Sequence, residues 1–395
     1  MISKVLLRQE QFPVTDHLVY LNHAAVGPLS QSACAAMERH AREQRDFGAF
    51  HWRDWWAEYV DFREEAAALI NGEPREISIL KNTSEGISFV ANGLRWKSGD
   101  NVVTTDMEFP SNWAPWKRLE SRGVECRAVK TEDGRFEPVD VERLIDDRTR
   151  VVALSLVAFH NGFRPDVETI GQLCRDRNVL FCLDAIQGVG AIRTDVKRWN
   201  VDFLAADGHK WMMGPEGTAI FFCSERVRDQ LDVLESGWMN VDRGDAMIGS
   251  GVELLRDGRR FEAGSINTNG VYGLRAAIAL LRHVGLENVE REVVHITGRL
   301  GRMLASIGCL VRSPMPPEAG IVSIEPPQGV DFERLAAMCE AGAERNPLRL
   351  WHRWLEQNRI ICSAREGMLR FSPHFYNDDD DLDDVREAFD EAMGS

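Results

Sequence analysis

The sequence predicts an α/β fold that consists of a large domain and a smaller α+β domain towards the C-terminus. Short apolar runs, such as residues 151–157 and 179–184, alternate with segments of helical periodicity, which is typical of β-α-β units and a parallel sheet. These runs are apolar at nearly every position, as expected for strands that are buried on both faces. The chain has 395 residues, which is long for a single hydrophobic core.

The first third of the chain predicts two helices, a strand and a third helix. Ser30 is suited to cap a helix that runs to about Arg45. A second helix begins in the aromatic stretch HWRDWW at residues 51–56 and keeps helical spacing to Ile70. Its aromatic face fits a core or a subunit interface better than a pocket wall, because aromatic residues are enriched in both.

The strand 77–80 leads into a small polar turn, residues 82–86, and then into a helix. A turn of this kind at a helix N-terminus presents free backbone N–H groups and the positive end of the helix dipole, here beside the hydroxyls of Thr83 and Ser84. The arrangement is suited to binding an anion. An ordinary Ser/Thr helix cap is the commoner alternative.

The strand 102–105 is followed by a loop that carries Phe109. An aromatic side chain just past a strand end can stack on a planar ring, although most such residues belong to a core or a pocket wall. The strand 151–157 and a helix at 166–176 then complete a β-α-β alternation.

The rest of the chain is organised around the stretch VLFCLDAIQGVGAIRTDVKRWNVDFLAADGHKWMMGPEG, residues 179–217. Two apolar runs end in Asp184 and Asp207, and Lys210 follows the second run. Ligands of open α/β sheets bind beyond the carboxyl ends of the strands, so the three side chains are expected at one crevice. Each residue alone is more often a turn former or a surface charge. Together they fit pyridoxal phosphate (PLP), which binds a lysine as a Schiff base and an aspartate at its ring nitrogen.

Helical periodicity continues to about residue 305 and leads into the smaller unit. Proline-rich breaks flank a strand at 320–324, and residues 359–362 and 368–372 are predicted to be paired strands. Arg370 stands between apolar neighbours in the second of these. A buried arginine needs an anionic partner, so Arg370 is a candidate ligand for an anion.

The composition argues against a nucleic-acid-binding, membrane-bound or metal-binding protein. The formal net charge of −15 argues against binding to nucleic acid or to an anionic membrane surface. The eight cysteines show no metal-site spacing, so no metal is expected, and free thiols in a reducing cytoplasm are favoured. No apolar window is long enough to span a membrane and no signal core is present, which also favours a cytoplasmic protein.

These segments together resemble the class V aminotransferase family of PLP-dependent enzymes, which includes cysteine desulfurases, kynureninases and isopenicillin N epimerase-like proteins. The resemblance runs from Tyr20 to Pro373, and its most specific motifs are LDAIQGVG and ADGHKWMMGPEG. It implies fold type I, with a mainly parallel seven-stranded sheet. The large PLP-binding domain is expected at 16–284, and the small α+β domain at 1–15 and 285–395.

The resemblance also implies roles for individual residues. Lys210 matches the Schiff-base lysine, Asp184 the partner of the ring nitrogen, and Gln187 a donor to the phenolic oxygen. Ser265 matches a residue that reaches the phosphate of a neighbouring subunit, which implies a homodimer. Thr83 and Ser84, with Asp207 and His209 beside them, match the turn that holds the phosphate. Phe109 matches the ring-stacking residue, and Arg370 matches the arginine for the substrate α-carboxylate. Asn22 and His23 match a substrate-binding turn.

The predicted function is PLP-dependent chemistry at Cα of an amino acid or amine, with transaminase or epimerase-like reactions ranked first. A C–S lyase, a cysteine desulfurase-like enzyme or a kynureninase-like hydrolase is the alternative. Phe109 stands where cysteine desulfurases carry histidine, and the segment between Cys362 and Met368 is too short for their loop with a nucleophilic cysteine. A non-catalytic binding protein is the remote alternative.

Overall fold

The computed structural model describes residues 4–242, 253–339 and 344–394. The glycine-rich span that ends near residue 260 lies partly outside these ranges. The strands are β1 (Val19–Tyr20), β2 (Ile77–Leu80), β3 (Asn101–Thr105), β4 (Glu125–Val129), β5 (Thr149–Ser155), β6 (Leu180–Asp184), β7 (Phe203–Asp207), β8 (Ala219–Cys223), β9 (Val241–Asp242), β10 (Glu253–Leu254), β11 (Leu310–Val311), β12 (Val322–Glu325), β13 (Ile360–Ile361), β14 (Ser363–Arg365) and β15 (Met368–Phe371).

The predicted helices are present, including the long helix that begins in the aromatic stretch. The helices are α1 (Lys4–Gln11), α2 (Gln31–Phe47), α3 (Trp52–Ile70), α4 (Thr83–Gly93), α5 (Pro110–Arg118), α6 (Pro138–Glu142), α7 (Val167–Asp176), α8 (Thr268–Val284), α9 (Leu286–Ser306), α10 (Phe332–Met338), α11 (Pro347–Gln357) and α12 (Asp379–Met393). Of these, α1, α5, α10 and α11 were not predicted. Ser30 caps α2 as predicted, accepting a hydrogen bond from the backbone N–H of Ala33 at 3.2 Å.

The central sheet has seven strands in the order β2-β8-β7-β6-β5-β3-β4. Strand β8 is antiparallel to both of its neighbours, and the other adjacent pairs are parallel. Every residue of β3, β6, β7 and β8 is buried, which explains why β6, β7 and β8 are apolar up to their last residue rather than alternating. The predicted α/β class with a mainly parallel seven-stranded sheet is confirmed.

The C-terminal sheet has the order β11-β12-β15-β14 and is antiparallel. The predicted pairing of 359–362 with 368–372 is wrong. Strand β13 instead pairs in parallel with β1, and β14 is the partner of β15. Glu366 and Gly367 both have positive φ, 47° and 77°, which is typical of a two-residue hairpin turn. So tight a turn places Arg365 opposite Met368.

The N-terminal segment joins the C-terminal unit through β1, because Val19 and Leu21 pack in the hydrophobic cluster that holds β12 and β15. The division into a large domain at 16–284 and a small domain at 1–15 and 285–395 remains a prediction. All eight cysteines are free thiols, and six of them are buried. Among the described residues, no helix is long and apolar enough to cross a membrane, and no cluster of side chains is suited to hold a metal ion.

Candidate active site

The candidate active site lies at the carboxyl ends of the neighbouring strands β6 and β7. Asp184 is the last residue of β6 and Asp207 the last of β7, and the parallel register places Asp184 beside Ala205. Lys210 lies three residues past the end of β7. It lines a pocket together with residues from α4, α5 and the β14–β15 hairpin. The crevice predicted from strand order is therefore present, and it contains the predicted lysine.

Lys210 is a buried amine without a salt bridge among the described residues. Its side chain points across the pocket, with Nζ 5.6 Å from the centre of the Phe109 ring. Burial lowers the pKa of Lys210 to about 8, against an ordinary 10.5, while the Asp184 carboxylate opposes that shift. The lower pKa increases the fraction of neutral amine near neutral pH, and the neutral amine is the form that attacks a carbonyl carbon.

Asp184 is buried, with 2% of its surface exposed, and it is not itself a lining residue of this pocket, although the charge of Lys210 acts on it. Burial raises its pKa to about 6, although the backbone N–H of Ile186 donates to Oδ1 at 3.1 Å and the charge of Lys210 opposes the shift. The carboxylate forms no salt bridge in the described part of the chain. A carboxylate in this position would gain most from a cationic N–H group such as a protonated pyridine nitrogen.

The N-terminus of α4 forms another wall of the pocket. The cap is Asn82, whose side chain accepts from the N–H of Glu85 at 2.9 Å, so neither predicted hydroxyl residue is the cap. The hydroxyl of Thr83 instead accepts from the N–H of Asp207 at 3.0 Å, which joins α4 to the end of β7. Ser84 donates to Ser111 at 2.8 Å. The positive end of an eleven-residue helix and two hydroxyls thus face the pocket, as a phosphate site requires.

Polar side chains between these walls retain hydrogen-bonding capacity. Oδ1 of Asp207 and Nδ1 of His209 lie 3.0 Å apart but are poorly aligned, and neither atom has a hydrogen-bond partner. Gln187 donates one amide N–H to the carbonyl of Ala24 at 2.9 Å, which leaves its second N–H available. Its Oε1 accepts from the indole of Trp211 at 2.9 Å, and this bond fixes the orientation of the amide.

Arg370 is a buried guanidinium with no carboxylate partner in the described residues. Nη1 donates to the carbonyl of Phe159 at 2.7 Å, Nη2 makes a long contact of 3.4 Å with the hydroxyl of Ser363, and Nε has no partner. Burial, aided by the charge of Arg365, lowers its pKa to about 10. The side of the guanidinium that bears Nε and Nη2 is thus free to bind a planar anion through two N–H groups.

Two predicted substrate-binding residues lie outside the pocket lining. His23 is buried, with Nδ1 2.9 Å from the carbonyl of Ser372 and Nε2 2.9 Å from the hydroxyl of Tyr376, so both ring nitrogens are used. Asn22 contacts the hydroxyl of Ser363 and therefore supports Arg370 from behind. Small neighbours, Ala24 and Ala25, line the pocket in their place.

Ser265 lines a different pocket from Lys210 within the same chain. That pocket also contains Lys81 and Glu85, which form a salt bridge of 2.7 Å. The position is compatible with the predicted role of Ser265 at the site of a second subunit.

The structure adds residues that the sequence did not single out. Glu108 accepts hydrogen bonds from Asn112 at 2.9 Å and from the N–H of Ser155 at 3.0 Å, which fixes the loop of Phe109 to β5. Burial, helped by the charge of Asp184, raises its pKa to about 7. Phe159 packs edge-on against Phe109, with ring centres 5.2 Å apart. Glu108 could have been found from the sequence, because it lies between the end of a strand and the pair Phe109-Pro110.

The residues present fit PLP. The unpartnered polar atoms of Asp207 and His209 lie in the pocket wall beside the helix terminus. At Gly27, a Cβ atom would lie 2.2 Å from the carbonyl oxygen of Lys210, so only glycine lets the chain pass this close to the lysine. Lys210, Asp184 and the N-terminus of α4 would hold the carbonyl carbon, the ring nitrogen and the phosphate of the cofactor, respectively.

The chain matches a known protein family over most of its length. The family model described as Aminotransferase class-V matches residues 19–385. A probable cysteine desulfurase of Methanothermobacter thermautotrophicus is 30% identical over 96% of this chain and 95% of its own length. A probable cysteine desulfurase of Pyrococcus abyssi is 30% identical over 81% of each chain.

Solved structures show the same fold. The apo structure of a cysteine desulfurase from Thermococcus onnurineus superimposes with a TM-score of 0.87, at 26% identity over 100% of this chain and 99% of the other. A complex of the cystine C–S lyase C-DES with cysteine persulfide gives 0.86 at 23% identity, over 96% of this chain and 99% of the other. A further C-DES structure has glycine covalently linked to its PLP cofactor. The family and these neighbours indicate PLP as the cofactor, as predicted.

Proposed function

The chain belongs to the class V aminotransferase family of PLP-dependent enzymes, and on that premise we propose that it is a C–S lyase acting on sulfur-containing amino acids. In the proposed reaction, the Cα–H and Cβ–S bonds of a cysteine derivative break, and the sulfur substituent leaves as a thiol with one proton. The unsaturated amino acid that remains reacts with water to give pyruvate and ammonia. No oxidant or reductant is consumed.

The observation that carries this proposal is the absence of a cysteine from the pocket lining in the described residues. Cys362, the cysteine nearest in sequence to Arg370, is 4% exposed, and burial raises the pKa of its thiol far above neutrality. It therefore cannot act as a thiolate acceptor for sulfur. The relatives named cysteine desulfurases support C–S bond chemistry, but a thiol that takes sulfur from the substrate is missing here.

The pocket residues supply the proton transfers and the orientation that this reaction needs. Arg370 would bind the α-carboxylate of the substrate and so fix the direction of its Cα–H bond. Lys210, displaced from the cofactor when the substrate amine binds, would accept the proton from Cα with its buried, weakly basic amine. Bound PLP supplies an electron-withdrawing ring conjugated to Cα, and the Asp184 carboxylate would keep the ring nitrogen protonated.

Phe109 is compatible with a sulfur leaving group. Its ring can stack on the cofactor but cannot donate a proton. A thiol has an ordinary pKa near ~8.5, so its anion leaves near neutral pH without strong acid catalysis. Lys210, once it carries the proton from Cα, is available to protonate the departing sulfur.

Transaminase or epimerase-like chemistry, ranked first on the sequence, becomes the second candidate. The relatives named cysteine desulfurases favour the C–S alternative. A relative named as an uncharacterized aminotransferase, from Bacillus subtilis, is 28% identical over 93% of this chain and keeps the second candidate open to test.

We also propose that the enzyme is a homodimer. Large aromatic side chains are exposed near the start of α3 and beside it, with Trp56 packed edge-on against Trp238 at 6.3 Å. Exposed apolar side chains that cluster in this way are typical of protein interfaces. The exposed aromatic residues are Phe47, Phe50, Trp52, Trp56 and Trp238. Sedimentation equilibrium should give twice the mass of one chain. The cytoplasmic location stays a prediction.

The test of the proposed reaction is product analysis of the PLP-loaded enzyme with cysteine, cystine and S-alkylcysteines. Pyruvate, ammonia and the sulfur product are expected in equal amounts; that product is a thiol from S-alkylcysteines, sulfide from cysteine and cysteine persulfide from cystine. With S-alkylcysteines, intact-protein mass spectrometry should show no sulfur atom added to the chain. Alanine formation with sulfur bound to a cysteine would instead establish a desulfurase. A keto acid that retains sulfur would establish a transaminase, and an inverted enantiomer an epimerase.

A further inference from the structure

Two arginines line the candidate active site, and only one of them is needed for an α-carboxylate. Arg365 and Arg370 both belong to the wall of the pocket that contains Lys210. Arg370 is 98% buried, since only 2% of its surface is exposed, and its Nε has no partner. Arg365 makes no side-chain hydrogen bond and no ion pair within the described ranges.

The β14–β15 hairpin holds both arginines on one face of the sheet. Ser363 lies opposite Arg370, and Arg365 lies opposite Met368. Side chains two residues apart in a strand point to the same side, and directly opposed residues share a side. Arg365, Ser363 and Arg370 therefore project together, while Leu369 and Phe371 face the hydrophobic core. The tight turn at Gly367 fixes this arrangement.

The two guanidinium groups have no counter-ion in the pocket. Asp207 is the only acidic residue in the pocket lining among the described residues, and it lies 3.0 Å from His209. The charge of Arg365 also contributes to the lowered pKa values of Arg370 and Lys210, so the two arginines interact unfavourably in this state. An acidic chain with a formal charge of −15 could readily have paired them. Two unpaired cations at one pocket are favourable when an anionic ligand neutralises both.

We propose that Arg365 is a specificity-determining residue that binds a second anionic group of the substrate, at the far end of its side chain. The same pocket is also lined by Phe109, Phe159 and Ile186, whose apolar side chains suit a hydrocarbon chain between two anionic ends. Resting on the proposed C–S lyase function, the preferred substrates are S-substituted cysteines whose sulfur substituent ends in a carboxylate.

A binding experiment tests the second anion site without any turnover. The PLP-loaded enzyme is titrated by calorimetry with glutarate or succinate, which carry two carboxylates, and with butyrate, which carries one. We expect the better dicarboxylate to bind at least about 10-fold more tightly, the size of one charge-assisted hydrogen bond. R365Q should remove this preference and leave butyrate affinity within about 2-fold of wild type, whereas R365K should keep part of it. Arg365 is exposed on a hairpin, so both variants should fold.

Two results of the titration would overturn the inference. The first is a wild-type enzyme that binds butyrate as tightly as either dicarboxylate. The second is an R365Q variant that loses equal affinity for butyrate and the dicarboxylates, which would mean that both arginines bind a single carboxylate. The surface variant R312Q, in which a partner of Glu325 is removed, serves as the control for a lost arginine charge.

A turnover experiment links the second anion site to the reaction. S-carboxyethylcysteine and S-propylcysteine have similar lengths and differ mainly in the terminal carboxylate. Wild type should release pyruvate from the first with a kcat/KM about 10-fold higher, and R365Q should lose the difference through KM. Equal kcat/KM values in wild type would refute the substrate preference. Absence of pyruvate from both compounds, with the dicarboxylate binding preference intact, would refute the lyase function and leave the anion site established.

Discussion

Replacement of Arg370 by glutamine should weaken substrate binding and increase the stability of the fold, because the buried charge favours binding of an anion but destabilises the substrate-free protein. Nε has no partner and Nη2 has only a 3.4 Å contact with Ser363, so two N–H groups are available to an α-carboxylate. Charge-assisted hydrogen bonds contribute about 1.5–3 kcal/mol each. R370Q should therefore lower kcat/KM for an S-alkylcysteine by about 10²–10⁴-fold, mainly through KM. R370K keeps the charge but not the fork, and should fall between wild type and R370Q.

The stability of the same variant should change in the opposite direction. The folded-state pKa of Arg370 is lowered from 12.5 to about 10, so burial disfavours the charged form that is present at every pH below 10. This shift corresponds to about 3 kcal/mol at neutral pH. The variant also loses the hydrogen bond to the carbonyl of Phe159, which contributes about 1 kcal/mol. R370Q is therefore expected to be more stable than wild type by about 2 kcal/mol in urea unfolding of the substrate-free enzyme.

The control is R312Q, which removes an exposed ion pair with Glu325 and should change stability by less than about 1 kcal/mol. It should not change kcat/KM. If R370Q is destabilised and its kcat/KM falls only in proportion to the folded fraction, then Arg370 is a structural residue and the assignment of the α-carboxylate fails.

The remaining predictions concern residues in and beside the pocket. K210A should lose the visible colour that borohydride bleaches in the PLP-loaded enzyme. Retention of that colour would show that another lysine forms the Schiff base. The rate at which apo-protein takes up PLP should rise with pH through about 8, the lowered pKa of Lys210; a midpoint near 10 would contradict the lowered pKa. D184N should reduce kcat by about 10²-fold or more because a neutral amide cannot hold the ring nitrogen protonated; near-normal kcat would exclude that role. E108Q should be more stable than wild type by about 3 kcal/mol at pH 8 and equal to it at pH 4, because the pKa raised to about 7 makes ionised Glu108 unfavourable above its unfolded value of 4.5; an equal difference in urea unfolding at both pH values would argue against this.

Part of the site could be predicted because its residues lie at or just after the ends of two consecutive strands that are adjacent in the sheet. Asp184 and Asp207 each end an apolar run, and adjacent parallel strands place their ends at one edge of the sheet. The pattern of the chain thus predicted the crevice and its lysine. Residues that reach the pocket from other elements were found by resemblance to a family, since no local pattern connects Phe109 or Arg370 to Lys210.

The sequence was least informative where a turn decides which strands pair, or where packing decides which groups a polar side chain contacts. The pairing of 359–362 with 368–372 failed because Glu366 and Gly367 form a tight turn that shortens the hairpin to begin at Ser363. The role of His23 in substrate binding stays a prediction, although both of its ring nitrogens contact groups more than 300 residues away in the chain. The partner of a polar side chain is set by tertiary contacts, which composition and spacing do not record.

The sequence by itself determined the layered α/β architecture, because burial of a strand on both faces requires an uninterrupted apolar run, and the chain supplies such runs in alternation with helices. It also predicted Lys210 and Asp184 as residues of the site, and both side chains are buried in the structure. Only the tertiary structure decided which charges remain without partners. The apolar neighbours of Arg370 singled it out in the sequence, whereas nothing in the sequence distinguishes Arg365 from the other arginines. That the two share a face follows from the register of β14 against β15. Electrostatic pairing depends on distances between side chains that are brought together by folding, so the second anion site became visible only in three dimensions.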